Sequence, residues 1–223
     1  MKPLSKYIDH TILKATATKA DIVQLCKEAI THNFFSVCVN SFYVSLAKAE
    51  LKNSDVKVCS VIGFPLGAMS TKAKVEETKQ ALHDGADEID MVLNIGLLKS
   101  HDFDAAFKDI EAVKKVMPNN TLKVILETCY LDNQEINEAS KLAIKAKAEF
   151  IKTSTGFGTS GATIEAITIM KEAINNGNTK IKASGGIRDT DTALQYINLG
   201  VDRIGTSNGI AIVTGNASGD KNY

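Results

Sequence analysis

The chain of 223 residues is longer than the commonest domain but falls within the range of one α/β barrel. Its 26 basic residues are matched by 26 acidic ones, so no basic excess exists for a nucleic acid, and an anionic ligand would have to be bound locally. No apolar run approaches the roughly 18 residues of a membrane-spanning helix, and the first residues lack the apolar core of a signal peptide. We therefore expect a cytoplasmic protein with one domain over residues 1–223, of which residues 214–223 form a flexible tail.

Strands and helices are predicted to alternate along the chain. A short strand at Tyr7–Thr11 precedes a helix that begins at Thr18, where Asp21 favours a capped start. The later strands are short and rich in Val, Ile and Leu, as in parallel sheets that are buried on both faces. These strands are predicted at Phe34–Val39, Val56–Phe64, Glu88–Asn94, Leu122–Thr128, Glu149–Ser154, Thr179–Ser184 and Val201–Thr206. The later helices are predicted at Phe42–Lys52, Thr71–His83, Asp102–Met117, Asn133–Ala148, Thr163–Asn175 and Thr190–Leu199.

This alternation predicts the α/β class and, within it, a (β/α)8 TIM barrel. The alternative is an open doubly wound sheet, but no GxGxxG sequence opens a helix after the first strong strand. The barrel also predicts where the chemistry lies, because active sites of this fold are built at the carboxyl ends of the strands. Phosphate groups are often bound there after the seventh and eighth strands.

Charged residues are predicted inside the barrel by the two-residue period of a strand. In the fourth strand the apolar side chains face the helices, so Glu88 and Asp90 point inward. In the fifth strand Lys123 and Glu127 share a face and are expected to form a charged pair. A solvated or purely structural role for Asp90 remains an equal alternative at this stage.

Two further lysines, Lys152 and Lys182, face inward from the sixth and seventh strands. At about 6 Å and an effective dielectric near 20, two ammonium groups repel each other by roughly 3 kcal/mol, which favours loss of a proton from one of them. A neutral lysine beside another cation is a nucleophile that forms Schiff bases with carbonyl compounds. The alternative is that each lysine extends to solvent or neutralises Asp90 or Glu127, and the residues alone do not say which lysine would react.

Glycine turns follow the seventh and eighth strands, where this fold tends to bind phosphate. Gly185 and Gly186 end one strand, and Gly205 and Ser207 end the other, so bare backbone N–H groups and a hydroxyl are available. The helix that follows each turn is expected to add the partial positive charge of its N-terminus.

Four cysteines are widely spaced, with no CxxC pair and no histidine-rich neighbourhood. Their spacing argues against a zinc site and against a disulfide framework. They are interpreted as small buried hydrophobic residues. The cysteines are Cys26, Cys38, Cys59 and Cys129.

Six stretches of the chain resemble the 2-deoxy-D-ribose-5-phosphate aldolase family, in the family's order. The resemblance implies a (β/α)8 class I aldolase, with no metal or cofactor, that reversibly cleaves 2-deoxyribose 5-phosphate into glyceraldehyde 3-phosphate and acetaldehyde. The stretches are Ile8–Lys14, Val61–Gly67, Glu88–Gly96, Glu127–Cys129, Phe150–Phe157 and Lys182–Arg188.

The resemblance also implies roles for individual residues. Lys152 matches the Schiff-base lysine, Lys182 matches the second lysine whose charge activates the first, and Asp90 matches the carboxylate that moves protons through water. The phosphate-binding positions are matched by Gly185, Gly186 and Ser207, with Gly205 beside Ser207 and Thr155 in the phosphate-side loop.

Three further positions follow from the same resemblance. Tyr223 matches a terminal tyrosine that closes over the site in some family members, and Asn208 and Phe157 depart from the family pattern at positions expected to affect phosphate affinity. A homodimer is favoured as the assembly. Two rivals remain: a Schiff-base aldolase for another phosphorylated sugar, and a phosphosugar-binding barrel that does no chemistry.

Overall fold

A computed structural model of the chain describes residues 2–215. Its centre is a closed barrel in which strands β1 to β8 pair in chain order, and every pairing is parallel. The strands are β1 Ile8–Ile12, β2 Ser36–Asn40, β3 Lys57–Ile62, β4 Glu88–Val92, β5 Thr121–Ile125, β6 Phe150–Lys152, β7 Lys180–Ser184 and β8 Arg203–Thr206. The predicted (β/α)8 barrel is therefore confirmed.

Helices surround the barrel, and most of them begin at a polar residue whose side chain caps the first turn. Thr18 and Asp21 form the expected capping box, and Asp132 and Glu135 form a second one. These caps satisfy backbone N–H groups that would otherwise lack partners. The helices are α1 Lys19–Thr31, α2 Val44–Glu50, α3 Thr71–His83, α4 Ile95–Lys99, α5 Phe103–Lys115, α6 Asn133–Lys145, α7 Ile164–Ile174, α8 Thr190–Asn198 and α9 Gly209–Thr214.

The structure contains two apolar clusters, a large one between the barrel and the helices and a small one elsewhere. Ile89, Met91 and Leu93 are fully buried in the large core between barrel and helices, as the alternation predicts. A second, smaller apolar cluster is distinct from this core and comprises Leu13, Cys38, Cys59 and Val61, with Phe64 packed against it. We call these five residues the inner apolar cluster.

Several local predictions differ from the structure. The short helix α4 was not expected, and the sixth strand ends at Lys152 rather than Ser154. Thr153 instead uses its hydroxyl to accept from Ser184 N at 3.1 Å and to donate to Ser184 O at 3.1 Å, which fastens the chain to β7 beyond the strand's end. Thr214, the first residue of the expected tail, ends helix α9. Within residues 2–215 no helix is both long and apolar enough to cross a membrane.

Candidate active site

A network of buried charges occupies the barrel interior. Six of the eight strands contribute to it, and the strand register brings the side chains to neighbouring positions. Such a network is tolerated in a low-dielectric interior because each charge has an opposite charge within contact distance. Its members are Asp9 on β1, Glu88 and Asp90 on β4, Lys123 on β5, Lys152 on β6, Lys182 on β7 and Arg203 on β8.

Asp90 lies at the centre of this network and is fully buried. Its Oδ1 accepts a hydrogen bond from Lys123 Nζ at 2.8 Å, while its Oδ2 accepts from Lys152 Nζ and Lys182 Nζ, each at 2.8 Å. Burial opposes ionisation, but the positive charges of the three amines outweigh it and hold the pKa of the Asp90 carboxyl well below its usual range. Asp90 is therefore a fixed anion among three amines.

Lys123 and Lys182 each contact two carboxylates. Lys123 Nζ lies 2.7 Å from Glu88 Oε2 and 2.8 Å from Asp90 Oδ1. Lys182 Nζ lies 2.5 Å from Asp9 Oδ2 and 2.8 Å from Asp90 Oδ2. Burial would lower the pKa of each amine, but these carboxylates raise the pKa of Lys123 and of Lys182 above the usual range. Both lysines are held as cations.

Arg203 completes the network from β8. Its Nη1 lies 2.7 Å from Asp9 Oδ1 and 3.4 Å from Glu88 Oε2, and its guanidinium centre lies 3.4 Å from the centre of the Phe35 ring. Despite burial, Arg203 and Lys182 lower the pKa of the Asp9 carboxyl. Sequence reasoning missed Asp9 and Arg203, although the two-residue period, applied to β1 and β8, would have placed both side chains inward.

Lys152 differs from the other cations in its surroundings. Among the residues that the structure describes, Asp90 is its single carboxylate partner, and Lys182 shares the same oxygen. Lys152 retains 2% of its surface exposed, whereas Lys123 and Lys182 are fully buried. The structure thus brings the three predicted catalytic residues Lys152, Lys182 and Asp90 together and distinguishes the two lysines.

The expected pair of Lys123 and Glu127 is wrong. Strand β5 ends at Ile125, and Glu127 adopts a left-handed backbone with φ of 55°, so the strand alternation stops before it. Its carboxylate instead accepts a hydrogen bond from Thr155 N at 3.1 Å and a second one from the Thr155 hydroxyl. Thr155, predicted to help bind phosphate, therefore has its side chain committed to Glu127 in this conformation.

The predicted phosphate-binding glycines differ in their surroundings. Gly185 and Gly186 have φ of 83° and 78°, a backbone conformation that favours glycine, and open space surrounds the position of a side chain at Gly186. A side chain at Gly205 would lie 2.9 Å from Lys182 Cε, so this glycine makes room for Lys182. Gly205 therefore contributes space for a lysine of the barrel interior.

Ser207 lies half-buried just before helix α9, whose first turn receives no side-chain cap. Asp189 caps helix α8 by accepting from Thr192 N at 2.8 Å, whereas none of the described residues caps α9 with a side chain, so the two helix N-termini differ. Beside Ser207, a cavity of about 400 Å³ is lined by His10, Lys14 and Glu28 among others. None of the three predicted catalytic residues lines this cavity.

Phe157 packs against the loop after β3. Its ring packs edge-on against Phe64, with ring centroids 5.3 Å apart, so it faces the loop after β3. Asn208 N donates to Thr206 Oγ1 at 2.9 Å. Tyr223, the predicted catalytic accessory, lies outside the described residues.

Two of the four cysteines adjoin the charged network, which their spacing in sequence did not suggest. Cys38 on β2 is paired in register with Cys59 on β3, and Cys59 Sγ lies 3.1 Å from Asp90 Oδ1. Contact with Cys59 lowers the pKa of the Cys38 thiol, whereas burial raises the pKa of Cys59. The interpretation of these two as simple hydrophobic packing residues is incomplete.

Comparison with known proteins relates most of the chain to aldolases. Residues 4–221 match the family described as DeoC/LacD family aldolase. The chain is 55% identical to deoxyribose-phosphate aldolase of Finegoldia magna over 95% of this chain and 99% of that protein. A solved structure described as QR15, an aldolase, superposes with a TM-score of 0.92 at 42% identity and covers 96% of each chain.

A further solved structure, the tetrameric deoxyribose phosphate aldolase from Aeropyrum pernix, superposes with a TM-score of 0.89 at 30% identity. The superposition covers 95% of this chain and 89% of that one. The barrel, the interior lysines and these matches lead to one conclusion. This chain belongs to the DeoC/LacD family of aldolases.

Proposed function

We propose that this aldolase reversibly cleaves 2-deoxy-D-ribose 5-phosphate into D-glyceraldehyde 3-phosphate and acetaldehyde through a Schiff base on Lys152. The substrate is supported by the name of the 55% identical relative, which covers nearly the whole chain. The observation that carries the mechanism is the position of Lys152, which contacts Asp90 at 2.8 Å and keeps a small exposed surface, whereas Lys123 and Lys182 keep none.

The charge balance of the network leaves Lys152 as its least compensated amine. With every group ionised, the cations Lys123, Lys152, Lys182 and Arg203 face three carboxylates, Asp9, Glu88 and Asp90, which leaves one excess positive charge. An uncompensated charge in a buried site is unfavourable, and the amine with the fewest carboxylate contacts is the least compensated. That amine is Lys152.

The covalent steps follow from a neutral amine at this position. Lys152 Nζ adds to the aldehyde carbon C1, and loss of water gives an iminium ion. When the C3 hydroxyl loses its proton, the C2–C3 bond breaks, its electron pair moves toward the iminium nitrogen, and glyceraldehyde 3-phosphate leaves. The remaining enamine is protonated at C2, and water then releases acetaldehyde and restores the amine. The electron sink is the protein's own iminium ion, so the proposed steps draw on no cofactor.

Asp90 and Lys182 are proposed to handle the protons of these steps. Asp90 Oδ2 bridges Lys152 and Lys182, so a proton released near C3 has an acceptor path through water to this carboxylate. The low pKa of Asp90 means that it stores the proton only briefly and passes it on. Lys182, held as a cation by Asp9 and Asp90, keeps the surroundings of Lys152 positive.

The phosphate end of the substrate is proposed to lie over the turns after β7 and β8. Gly186 offers backbone N–H without a side chain in the way, and Ser207 offers a hydroxyl before the uncapped helix α9. Gly185 and Gly205 shape these turns, and Thr155, fastened to Glu127, fixes the adjoining loop.

The substrate is tested by product analysis. Purified enzyme is incubated with 2-deoxyribose 5-phosphate and, separately, with a phosphorylated ketose whose cleavage would release a ketone donor. We expect acetaldehyde and glyceraldehyde 3-phosphate from the first compound and slower or no cleavage of the second. Preferred cleavage of the ketose would replace the proposed substrate, and binding of both without cleavage would indicate a barrel that only binds phosphosugars.

Assembly and location remain predictions. A homodimer is expected, and the relative from Aeropyrum pernix is described as tetrameric. Light scattering coupled to size-exclusion chromatography distinguishes a dimer of two 24.0 kDa chains from a monomer or a tetramer. A cytoplasmic location is expected from the sequence.

A further inference from the structure

Cys38 and Cys59 lie side by side in the barrel interior although 20 residues separate them in the sequence. Together with Asp90 they offer two sulfur atoms and one carboxylate oxygen, all within 4.8 Å of one another. All three residues are fully buried. A small shift of side chains would bring these atoms to the distances of a metal-binding site, since zinc ligands lie about 2.0–2.3 Å from the ion.

The donor set points to a particular class of ion. Two thiolates and one carboxylate suit zinc and the softer cadmium, while magnesium and calcium prefer oxygen ligands. Three protein ligands also leave a fourth tetrahedral position for water. This set differs from the residues proposed for Schiff-base chemistry, of which it shares only Asp90.

The positively charged lysines around the site do not oppose binding of a divalent cation, because the total charge of the site does not change when the cation binds. Each thiol loses its proton when it binds a metal, so one divalent cation enters as two protons leave. Cys59 Sγ already lies 3.1 Å from Asp90 Oδ1, and Lys123 Nζ lies 3.4 Å from the same sulfur. Burial raises the pKa of the Cys59 thiol, so the bound ion has to displace its proton. The net charge of the network is then unchanged.

We propose that Cys38, Cys59 and Asp90 bind one thiophilic divalent cation, such as cadmium or zinc, and that the bound ion inhibits the enzyme. The ion takes Asp90 Oδ1, the oxygen that Lys123 and Cys59 contact, and reduces the negative charge left for Lys152 and Lys182 on Oδ2. The inhibition rests on the role proposed for Asp90, whereas the binding rests on the cysteine geometry alone.

The test is a cadmium titration of the full, reduced chain, followed by the ultraviolet absorption of cadmium–thiolate bonds. We expect one equivalent per chain, release of two protons in unbuffered solution, and reversal by a chelator. C38S and C59S should each lose most of the absorption. C26S is the matched control, because Cys26 is also buried but lies on α1 and is not one of the three clustered ligands. Should either serine variant fail to fold, C38A or C59A replaces it.

Aldolase activity is measured in the same titration. For each variant, the activity with cadmium is divided by the activity without it. We expect inhibition in the wild type and in C26S and its loss in C38S. Absence of the absorption in the wild type, its persistence in a C38S/C59S double variant, or its dependence on the half-buried Cys129 would overturn the site. Binding that leaves activity unchanged would overturn the inhibition. An inactive wild type that still binds cadmium would instead count against the proposed function.

Discussion

The two sides of the barrel interior are similarly buried but differ in the chemistry of their side chains. Strands β4 to β8, with Asp9 from β1, carry charges that touch one another, whereas the inner apolar cluster beside β2 and β3 carries thiols and hydrocarbon. The charged side can activate an amine because one of its lysines has fewer carboxylate contacts than the others. The apolar side packs hydrocarbon and thiol groups against this network, with Cys59 in contact with Asp90.

In the proposed mechanism, the reactivity of Lys152 depends on the unequal pairing of cations and carboxylates within this buried network. Lys123 and Lys152 belong to adjacent strands and both contact Asp90, yet Lys123 also contacts Glu88 at 2.7 Å. Buried charges with full sets of partners are held in one state, while a buried charge with a shared partner can change state. Substitutions on the two sides should therefore separate activity from stability.

The largest effect is expected from Lys152→Met. Loss of the nucleophile should reduce kcat/KM by about 10⁴-fold or more, as removal of covalent catalysts does elsewhere. The fold should persist, because Asp90 keeps Lys123 and Lys182 as partners. Steady-state kinetics and circular dichroism check both statements, and an active Lys152→Met enzyme would refute the proposed nucleophile.

Asp9→Asn should weaken the network and its response to acid. Removal of one partner of a buried ion pair typically costs about 3–5 kcal/mol, and Asp9 serves both Lys182 and Arg203. Because the pKa of Asp9 is lowered by folding, its contribution is complete above the unfolded pKa of about 3.9 and is lost as pH falls below it. Urea denaturation between neutral and acidic pH should show a shallower acid dependence in the variant. Identical dependence in both proteins would contradict the assigned pKa direction.

Leu13→Ala probes the other side of the interior. Leu13 is 4% exposed within the inner apolar cluster, so the truncation should lower the free energy of unfolding by about 2–5 kcal/mol. Its effect on kcat/KM should be far smaller than that of Lys152→Met. Urea denaturation and kinetics measured on the same preparation test whether stability falls while activity is kept. A large loss of kcat without a loss of stability would contradict the prediction.

The smallest effect is expected from Ser207→Ala at the phosphate end. Loss of one hydrogen bond to a charged group should weaken binding by about 1.5 kcal/mol, or roughly tenfold in KM for the phosphorylated substrate. Unphosphorylated 2-deoxyribose serves as the internal control and should react equally well with both proteins. An equal loss for both sugars would place Ser207 outside the phosphate site.

The sequence predicted the barrel because strand alternation and capping residues are local signals. It also placed Asp90, Lys123, Lys152 and Lys182 inside, since the two-residue period decides direction within a strand. The same rule was wrong for Glu127, which lies beyond the strand's end in a left-handed conformation. The rule applies only as far as the strand extends, and strand ends are not visible in the alternation itself.

Contacts between distant strands could not be predicted from local patterns. Cys38 and Cys59 are adjacent only because β2 and β3 pair in one particular register. The unequal partners of Lys152 and Lys182 likewise depend on Asp9 approaching from β1 across the closed barrel. Family resemblance assigned the roles of these lysines, and the geometry now offers a physical reason for that assignment.

Lys152 is proposed as the reactive amine because it is the least compensated cation of the network. This assignment is tested by reduction of the enzyme with borohydride in the presence of acetaldehyde, followed by peptide mass spectrometry. We expect one added ethyl group, located on Lys152, and no such adduct in Lys152→Met. An adduct on Lys182 or Lys123, or no adduct at all, would contradict it.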